Sequence, residues 1–351
     1  MSDADLPDTL EYSGEFGPEL VLFLPFVRWL ARTGRLGTRT VLTYRGMAPF
    51  YAGLGIAALL EKDAPREWVP PDRRPRWLPV RNEHDFDGRG RPEAHDYGDM
   101  RTTFAATPLP DALVAELGDK PLLIVHNKVA DEWGLGPINF IPLGVLETLF
   151  ATLADAFTVV YIRHGKRALS ATFSQDHNQL RHFDDAALLA KFPRVLDFDD
   201  LFDRHGEAFG GAINLFKARL YAVCYHFMTS QGGGAAQIAQ YSGSLIAIMH
   251  RKGQEQRWAY APGYYQFMAE PPPTLLLCAS GHELKSTFAA FKRSIFDERR
   301  VVLAPEDSAL AVTLSIDDIA KRGARTMRGV RLRESIRKLF RSARELKALI
   351  S

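Results

Sequence analysis

The chain has 351 residues, of which 46% are hydrophobic and 25% charged, and its formal net charge is +2 at pH 7. This length and apolar content predict a large core and about two globular domains. A net charge so close to zero gives no reason to expect a nucleic-acid partner. The first residues are acidic and polar, and no run of about 18 apolar residues occurs, so we expect neither a signal peptide nor a membrane span.

The chain contains two cysteines, Cys224 and Cys278, and each lies within an apolar stretch. Two separated cysteines of this kind favour buried thiols over a disulfide framework or a cysteine-based metal site. Buried free thiols are typical of a reducing compartment. We therefore expect a cytoplasmic protein.

The N-terminal part begins with strand and helix patterns in alternation. The segment TLEYS predicts a strand, GEFG a turn, PELVLFLPFVRWLARTG a helix kinked at Pro25, and TRTVLTYRG a second strand. Residues 62–110 are rich in proline, arginine, aspartate and glycine and lack periodicity. This composition predicts a long irregular segment over a cleft.

The same alternation resumes with the helical PDALVAELG and the strand-like PLLIVHNK, and it continues to TLLLCAS and the helical HELKSTFAAFKRSIF. We therefore predict an α/β fold with two doubly wound, Rossmann-like domains that face a cleft. The predicted units are residues 1–115 with the irregular segment 62–110, residues 116–320, and residues 321–351 as a basic amphipathic helix. Ligands of such folds bind at the carboxyl ends of strands, so the loops that follow strands should carry the chemistry.

Three consecutive glycines, Gly232 to Gly234, follow the strand-like YHFMTS and Gln231. Glycine lets a ligand approach the backbone closely, and a helix start offers unpaired N–H groups and a positive dipole end. Together these features suit a phosphate. A tight turn with close packing of helix on sheet explains the same glycines without a ligand.

The glycines are followed by the helical AAQIAQYSG, the strand-like SLIAIMH and the polar turn RKGQEQ. In order and spacing this segment resembles the donor-binding motif of GT-B glycosyltransferases. The resemblance implies that the turn faces the diphosphate of a nucleotide sugar, that Glu255 or Gln254 reaches the ribose, and that His250 lies near the phosphates or the sugar. The implied diphosphate site comprises Gln231, Gly232, Gly233 and Gly234.

The sequence departs from the GT-B pattern at two places. Gln237 and Gln240 stand in the following helix where many members of the family have a hydroxyl or a carboxylate, and no second glutamate falls eight residues after Glu255. The missing second carboxylate favours an inverting over a retaining transfer.

Two further loops place cations or hydrogen-bond donors directly after apolar strands. Asn127 and Lys128 follow PLLIV, and Arg163 and His164, with Lys166 and Arg167, follow FTVVYI. Such groups at strand ends suit an anionic donor. Solvated surface loops are the alternative.

For an inverting transfer the catalytic base has to be a carboxylate or a histidine within reach of the acceptor hydroxyl. Glu15, between the glycines of GEFG at a helix start, is our candidate, because the GT-B arrangement generally takes its base from the N-terminal half. Complementing the helix dipole is an equally good role for Glu15. His84, Asp85 and Asp87 are alternative bases.

The acidic stretch DFDD, Asp197 to Asp200, supports a different hypothesis. In GT-A glycosyltransferases an Asp-x-Asp pattern holds a divalent metal against the diphosphate, and here Asp197 and Asp199 would do so. A helix cap followed by a solvated acidic turn explains the same residues.

Within residues 321–351, basic side chains far outnumber acidic ones, and apolar residues recur at helical spacing: Ile336, Leu339, Phe340, Ala343 and Leu346. A basic amphipathic helix can dock on the anionic inner face of a membrane. Packing of its apolar stripe back on the protein is the alternative.

These observations predict a glycosyltransferase of the type found in bacterial polysaccharide or glycolipid biosynthesis. Its partners would be a nucleotide sugar, as the donor co-substrate, and a saccharide or lipid-linked acceptor. It would need neither a resident cofactor nor a metal. Transfer of another group, such as a pyruvyl moiety, fits a similar architecture. A non-catalytic nucleotide- or sugar-binding module, or a scaffold for polysaccharide assembly, is the alternative from another class.

Overall fold

The computed structural model describes residues 6–80, 92–132, 136–166, 180–260, 263–297 and 300–302. It has an α/β fold with a three-stranded and a six-stranded parallel sheet, and a short antiparallel hairpin near the end of the described chain. Within these ranges no helix is both long enough and apolar enough to cross a bilayer. Several predictions fall outside the described residues, namely those for His84, Asp85, Asp87, Arg167 and the segment 321–351.

The first sheet contains three parallel strands in the order β1-β2-β3. Its strands and helical segments are β1 (Thr9–Glu11), α1 (Phe16–Pro18), a π-helix (Glu19–Phe23), α2 (Leu24–Arg32), β2 (Thr40–Tyr44), α3 (Ala48–Tyr51) and β3 (Ala58–Lys62). The strands follow one another across the sheet in chain order, so the described part of this sheet is wound in one direction. The prediction of a doubly wound first domain is therefore not met here.

The second sheet contains six parallel strands in the order β6-β5-β4-β7-β8-β9. They are β4 (Leu122–Asn127), β5 (Thr158–Arg163), β6 (Leu196–Asp197), β7 (His226–Ser230), β8 (Leu245–Met249) and β9 (Thr274–Cys278). The chain runs outward from β4 to β6, then returns to the other side of β4 and continues outward from β7 to β9. This is the doubly wound order of dinucleotide-binding folds, and its direction reverses between β4 and β7.

Helices cover the second sheet, and its strands are mostly apolar because both faces are buried. The helices are α4 (Met100–Ala105), α5 (Asp111–Leu117), α6 (Leu143–Leu153), α7 (Ala186–Lys191), α8 (Phe198–His205), α9 (Ile213–Val223), α10 (Gln231–Ile238), α11 (Glu255–Trp258) and α12 (Gly281–Arg293); the hairpin is β10 (Ile295–Asp297) and β11 (Arg300–Val302). On β4, Ile124 belongs to a core that continues into the first sheet, whereas Leu123 and Val125 belong to the core of the opposite face. One face of the second sheet thus shares its core with the N-terminal half.

Pro25 explains how the first long helix is attached to the C-terminal half. A proline has no N–H, so a helical carbonyl before it loses its donor. The structure has a π-helix over Glu19–Phe23 directly before this point. The hydroxyl of Tyr264 donates to the carbonyl of Val21 at 2.7 Å, and the side-chain amide of Gln240 donates to the carbonyl of Leu20 at 2.7 Å. Gln240, which lies just beyond the end of α10, therefore serves to join the two halves.

A buried arginine of α4 provides a second attachment between the halves. The guanidinium of Arg101 donates to the carbonyls of Ala222, Cys224 and Ser242 at 2.7 Å, and to the hydroxyl of Ser244 at 2.8 Å. Three backbone carbonyls at the ends of neighbouring elements are thereby satisfied by one side chain. Part of the segment predicted to be irregular is thus a helix that is fixed to the second sheet.

A fully buried ion pair supports the loop that follows β1. Glu19 and Arg66 have no exposed side-chain surface, and their Oε2 and Nη2 atoms lie 2.7 Å apart. Glu19 also accepts hydrogen bonds from the hydroxyls of Tyr51, at 2.8 Å, and Thr43. The Arg66 guanidinium lies 4.1 Å from the ring centre of Tyr44. Four segments of the N-terminal half therefore meet at one carboxylate.

We predict that Arg66→Met destabilises the protein by about 3–5 kcal/mol, because the Glu19 carboxylate would stay buried without its counter-charge. Urea unfolding measures this change in the free energy of unfolding. The matched control is Lys191→Met, whose exposed partner Glu147 lies 3.4 Å away and which should change stability by less than about 0.5 kcal/mol. A loss below about 1 kcal/mol for Arg66→Met would contradict this role of the pair.

Candidate functional site

The candidate site lies where β4 and β7 diverge, at the carboxyl ends of the two central strands of the second sheet. In doubly wound sheets this reversal of strand order opens a crevice that binds ligands. The backbone N–H of Lys128 donates to the hydroxyl of Ser230 at 2.8 Å, and the side-chain amide of Gln231 donates to the carbonyl of Lys128 at 3.3 Å. The structure therefore brings the Lys128 loop and the glycine turn together.

The start of α10 leaves its first N–H groups without a side-chain cap. Ser230 occupies the capping position but makes no capping hydrogen bond, and the first turn contains no acidic residue. Gln231 has a left-handed backbone with φ 66°, a conformation that non-glycine residues rarely adopt and that is common at functional sites. The positive end of this helix, at the reversal point of the sheet, thus has no compensating side chain in its own first turn.

The space available for a side chain differs among the three glycines of the turn. A Cβ on Gly234 would lie 1.8 Å from Oγ1 of Thr229 and 2.9 Å from Nδ1 of His126. A Cβ on Gly232 would lie 3.3 Å from Glu255 and from the hydroxyl of Tyr260. A Cβ on Gly233 would meet nothing within 4 Å. Close packing therefore accounts for Gly234, while Gly233 faces open space.

The loop after β1 lies directly against the glycine turn. A Cβ on Gly17 would be 3.7 Å from Cα of Gly233 and 3.6 Å from Cβ of Ala236. Glu15, two residues earlier, is partly buried, and its side chain makes no capping hydrogen bond to α1. Its backbone carbonyl accepts a hydrogen bond from the hydroxyl of Tyr12 at 2.9 Å. Glu15 is thus held on the loop that packs on the candidate site.

One side of the crevice is basic. Lys128 and Lys217 both act electrostatically on His126 and His164. Burial, with smaller contributions from Lys217 and Lys128, lowers the pKa of His126 to about 3. Burial also holds the pKa of His164 well below its ordinary value, with smaller contributions from Lys128, His126 and Lys217. At neutral pH both imidazoles are therefore uncharged, and the lysines supply the positive potential.

Lys217 was not found from the sequence. It lies on α9 between the buried residues Phe216 and Ala218, and its ammonium is 5.2 Å from the ring centre of Phe16. A helix of the second half thereby reaches the loop after β1. In the sequence, the feature that could have indicated a site residue was a single lysine in a largely apolar helix. Only the packing of that helix shows where the lysine lies.

The other side of the crevice carries a histidine and two glutamates. His250 is fully buried, and its Nε2 lies 3.2 Å from Oε2 of Glu255. The hydroxyl of Tyr260 lies 3.5 Å from Nδ1 of the same imidazole. Since the predicted residues His250 and Glu255 are in contact with each other and beside Gly232, the turn after β8 joins the same site.

Glu132 is the second glutamate, and sequence reasoning missed it. The side-chain amide nitrogen of Asn139 donates to Oε2 of Glu132 at 2.6 Å. The side-chain oxygen of Asn139 accepts hydrogen bonds from the backbone N–H groups of Arg251 and Lys252, at 2.8 and 3.1 Å. Burial raises the pKa of Glu132 to about 7 against the lowering effect of His250, and the charge of Glu255 adds to the increase. Glu132 therefore titrates near neutral pH.

Two of the predicted donor residues are engaged within the protein. The side chain of Asn127 is fully buried and makes two hydrogen bonds with the backbone of Ile141, at 2.9 and 3.1 Å. Arg163 donates to the carbonyl of Phe183, and its Nε lies 3.5 Å from Asp185. The Asn127 amide is thus used within the protein, and Arg163 is held by Phe183 and Asp185.

The acidic stretch after β6 lies at the edge of the sheet, two strands away from β4. The carboxylate of Asp197 accepts from the N–H groups of Asp199 and Asp200 at 2.9 and 3.4 Å, and it lies 2.6 Å from the ammonium of Lys166. Asp197 therefore caps α8, which is the alternative role given above. In the part of the chain that the structure describes, no group of three or more His, Cys, Asp or Glu side chains could hold a metal ion.

We predict opposite effects for two neighbouring substitutions in the turn. Gly234→Ala should destabilise the protein by about 1–3 kcal/mol, because the new methyl group overlaps buried side chains. Gly233→Ala should be neutral or stabilising by up to about 1 kcal/mol, because its methyl group enters open space and alanine favours helix. Thermal unfolding of both variants measures the difference. Equal destabilisation by both would contradict the distinct roles assigned to the two glycines.

Comparison of the chain with protein-family models, with curated proteins and with solved structures finds no match.

Proposed function

We propose that this protein is a glycosyltransferase that moves a sugar from a nucleotide-activated donor to a saccharide or lipid-linked acceptor. The observation that carries the proposal is the open glycine turn at the reversal point of the second sheet, with lysines on one side and the loop of the first sheet against it. In this proposal the two halves form a GT-B-like pair around the donor site.

The basic side of the crevice supports binding of a diphosphate. The uncapped start of α10 offers N–H groups and a positive dipole end. The Lys128 side chain has no hydrogen-bond partner among the described residues, and its backbone is held by Ser230. Charge-assisted hydrogen bonds from such groups would stabilise the negative charge that develops on a leaving diphosphate.

The acidic side supports binding of the hydroxyl-rich parts of the donor. Carboxylates accept hydrogen bonds from hydroxyl groups, and Glu255 lies directly beside Gly232. The hydroxyl of Tyr265 donates to the carbonyl of Gly232 at 3.1 Å, so an aromatic ring borders the same position. A donor whose diphosphate lies at the turn would extend its ribose or sugar toward this side.

In the proposed reaction Glu15 takes the proton of the acceptor hydroxyl. The acceptor oxygen then bonds to the anomeric carbon while the bond from that carbon to the diphosphate oxygen breaks, and the nucleoside diphosphate leaves. A single displacement of this kind inverts the anomeric centre. Glu15 suits the role of base because its loop contacts the glycine turn from the first half.

We predict that Lys128→Met weakens the binding of nucleoside diphosphates by about 10- to 100-fold, because a charge-assisted hydrogen bond is worth about 1.5–3 kcal/mol. A thermal-shift screen of nucleoside diphosphates and nucleotide sugars first identifies a ligand. Calorimetric titration then measures the affinity of each protein for that ligand. A ligand at 100 times its dissociation constant should stabilise the protein by about 2.7 kcal/mol. Lys166→Met is the control, since Lys166 pairs with Asp197 at the sheet edge. The proposal fails if no compound of the panel stabilises the protein.

We predict that Glu15→Ala abolishes sugar transfer and leaves donor affinity within about threefold, because a base acts on the acceptor and not on the donor. Turnover of the donor found in the screen, together with its dissociation constant, measures both effects. Donor binding without turnover by the unmodified protein would instead identify a nucleotide- or sugar-binding module. A turnover that survives Glu15→Ala would assign the base to another residue.

A further inference from the structure

A cavity of about 400 Å³ lies between α2, the loop after α3 and the start of α4. Its volume falls within the range of about 300–1,000 Å³ that is usual for ligand pockets. Among the described residues, its charged lining side chains are Arg28 and Arg32, one turn apart on α2, and Asp96. Two arginines and one carboxylate give this lining a net charge of +1. Ala52 and Thr103, also in the lining, are exposed, so the cavity is open to solvent.

Arg28 brings a positive charge into the protein without a carboxylate of its own. The residue is only 7% exposed. Its guanidinium donates to the carbonyl of Tyr97, to the side-chain oxygen of Gln240 at 3.4 Å and to Sδ of Met100 at 3.5 Å, and all three acceptors are uncharged. In the part of the chain that the structure describes, no carboxylate forms an ion pair with Arg28. A buried charge with neutral partners alone is unfavourable, and an anion in the cavity would compensate it.

Asp96, the carboxylate of the lining, is engaged by other groups. Its Oδ2 lies 2.7 Å from Nε of Arg32, and its Oδ1 accepts from the backbone N–H of Gly98 at 3.1 Å. Burial lowers the pKa of Arg28 to about 10, against the raising effect of Asp96. The loss of hydration at Arg28 therefore outweighs the attraction of Asp96.

The guanidinium of Arg28 is held in place and keeps donors for a ligand. A Cβ on Gly98 would lie 3.1 Å from Nη1 of Arg28, so the backbone packs closely on one side of the guanidinium. Gly98 has φ 65°, a conformation that glycine adopts without strain. A guanidinium has five N–H groups, and the contacts to Tyr97, Gln240 and Met100 use three of them within the described chain.

We propose that this cavity binds a small organic acid, whose carboxylate pairs with Arg28 inside the cavity and with Arg32 at its rim. A monoanion balances the lining charge of +1, whereas a phosphate group carries about two negative charges at neutral pH. Guanidinium N–H groups also match the two oxygens of a carboxylate. The lining includes Ala31, Ala52 and Leu54, which suit a short apolar body of the ligand.

This inference goes beyond the proposed function and does not depend on it. Gln240, which contacts Arg28, lies just beyond the end of α10, whereas the three glycines lie at the start of that helix. The acid site is therefore a second site, at the joint between the two halves.

The test is a ligand-observed NMR titration of the full chain at constant ionic strength, with benzoate as the probe and benzamide as its neutral counterpart of similar shape. We expect benzoate to bind at least about tenfold more tightly, because only the carboxylate makes charge-assisted hydrogen bonds. Ala52→Glu should weaken benzoate binding by at least about tenfold, because the new carboxylate repels the ligand and competes for Arg28.

Arg32→Met should weaken benzoate binding by about three- to tenfold, because it removes a rim charge and leaves Asp96 free to pair with Arg28. Arg194→Met is the matched control. Arg194 is likewise an exposed arginine near an aspartate, with its Nη1 3.4 Å from Asp155, and it does not line the cavity. This variant should bind benzoate like the unmodified protein.

The outcomes decide the proposal in each case. It is overturned if benzoate does not bind, if benzamide binds equally well, or if Ala52→Glu and Arg32→Met leave the affinity unchanged. Tighter binding of inorganic phosphate than of benzoate overturns the assignment to a carboxylate. Arg28→Met is the most direct variant and should lose benzoate binding. If it does not fold, the variants at the exposed residues Ala52 and Arg32 still decide the question.

Discussion

The close approach of two backbones, at Gly17 in the loop after β1 and at Gly233 in the glycine turn, is the contact on which the candidate site depends. It brings the first sheet against the reversal point of the second. The chain supports it from several directions. The buried Glu19–Arg66 pair fixes the first loop, the carbonyls before Pro25 bind Gln240 and Tyr264, and Arg101 joins α4 to the second sheet.

The site that results has opposite charge on its two sides. Lys128, which follows β4, and Lys217 of α9 both act electrostatically on the buried His126, while on the other side His250 contacts Glu255. A nucleotide sugar has a negative diphosphate and hydroxyl groups at its ends, which is why the donor-site proposal uses both sides.

Much of the fold could be predicted from the sequence, because helices and strands follow local periodicity. The strands that lead to Lys128 and to the three glycines were predicted, but the glycines lie in the first turn of α10 and not in a turn before it. The winding of the first sheet was not, since strand order depends on contacts between distant segments. Where a kink was expected at Pro25, the structure has a π-helix before the proline, and the carbonyls of Leu20 and Val21 accept hydrogen bonds from side chains 220 and 243 residues away. The GT-B resemblance remains a prediction.

The sequence by itself determined the α/β class, the run of parallel strands and the presence of chemically useful residues after them, because these properties depend on neighbours along the chain. Only the tertiary structure decided which residues meet. It directed Asn127 and Arg163 into their own loops, used Asp197 as a cap, and added Lys217 and Glu132 to the site. It also distinguished the glycines of the turn, since a Cβ on Gly234 would overlap Thr229 and His126 whereas a Cβ on Gly233 would meet nothing within 4 Å.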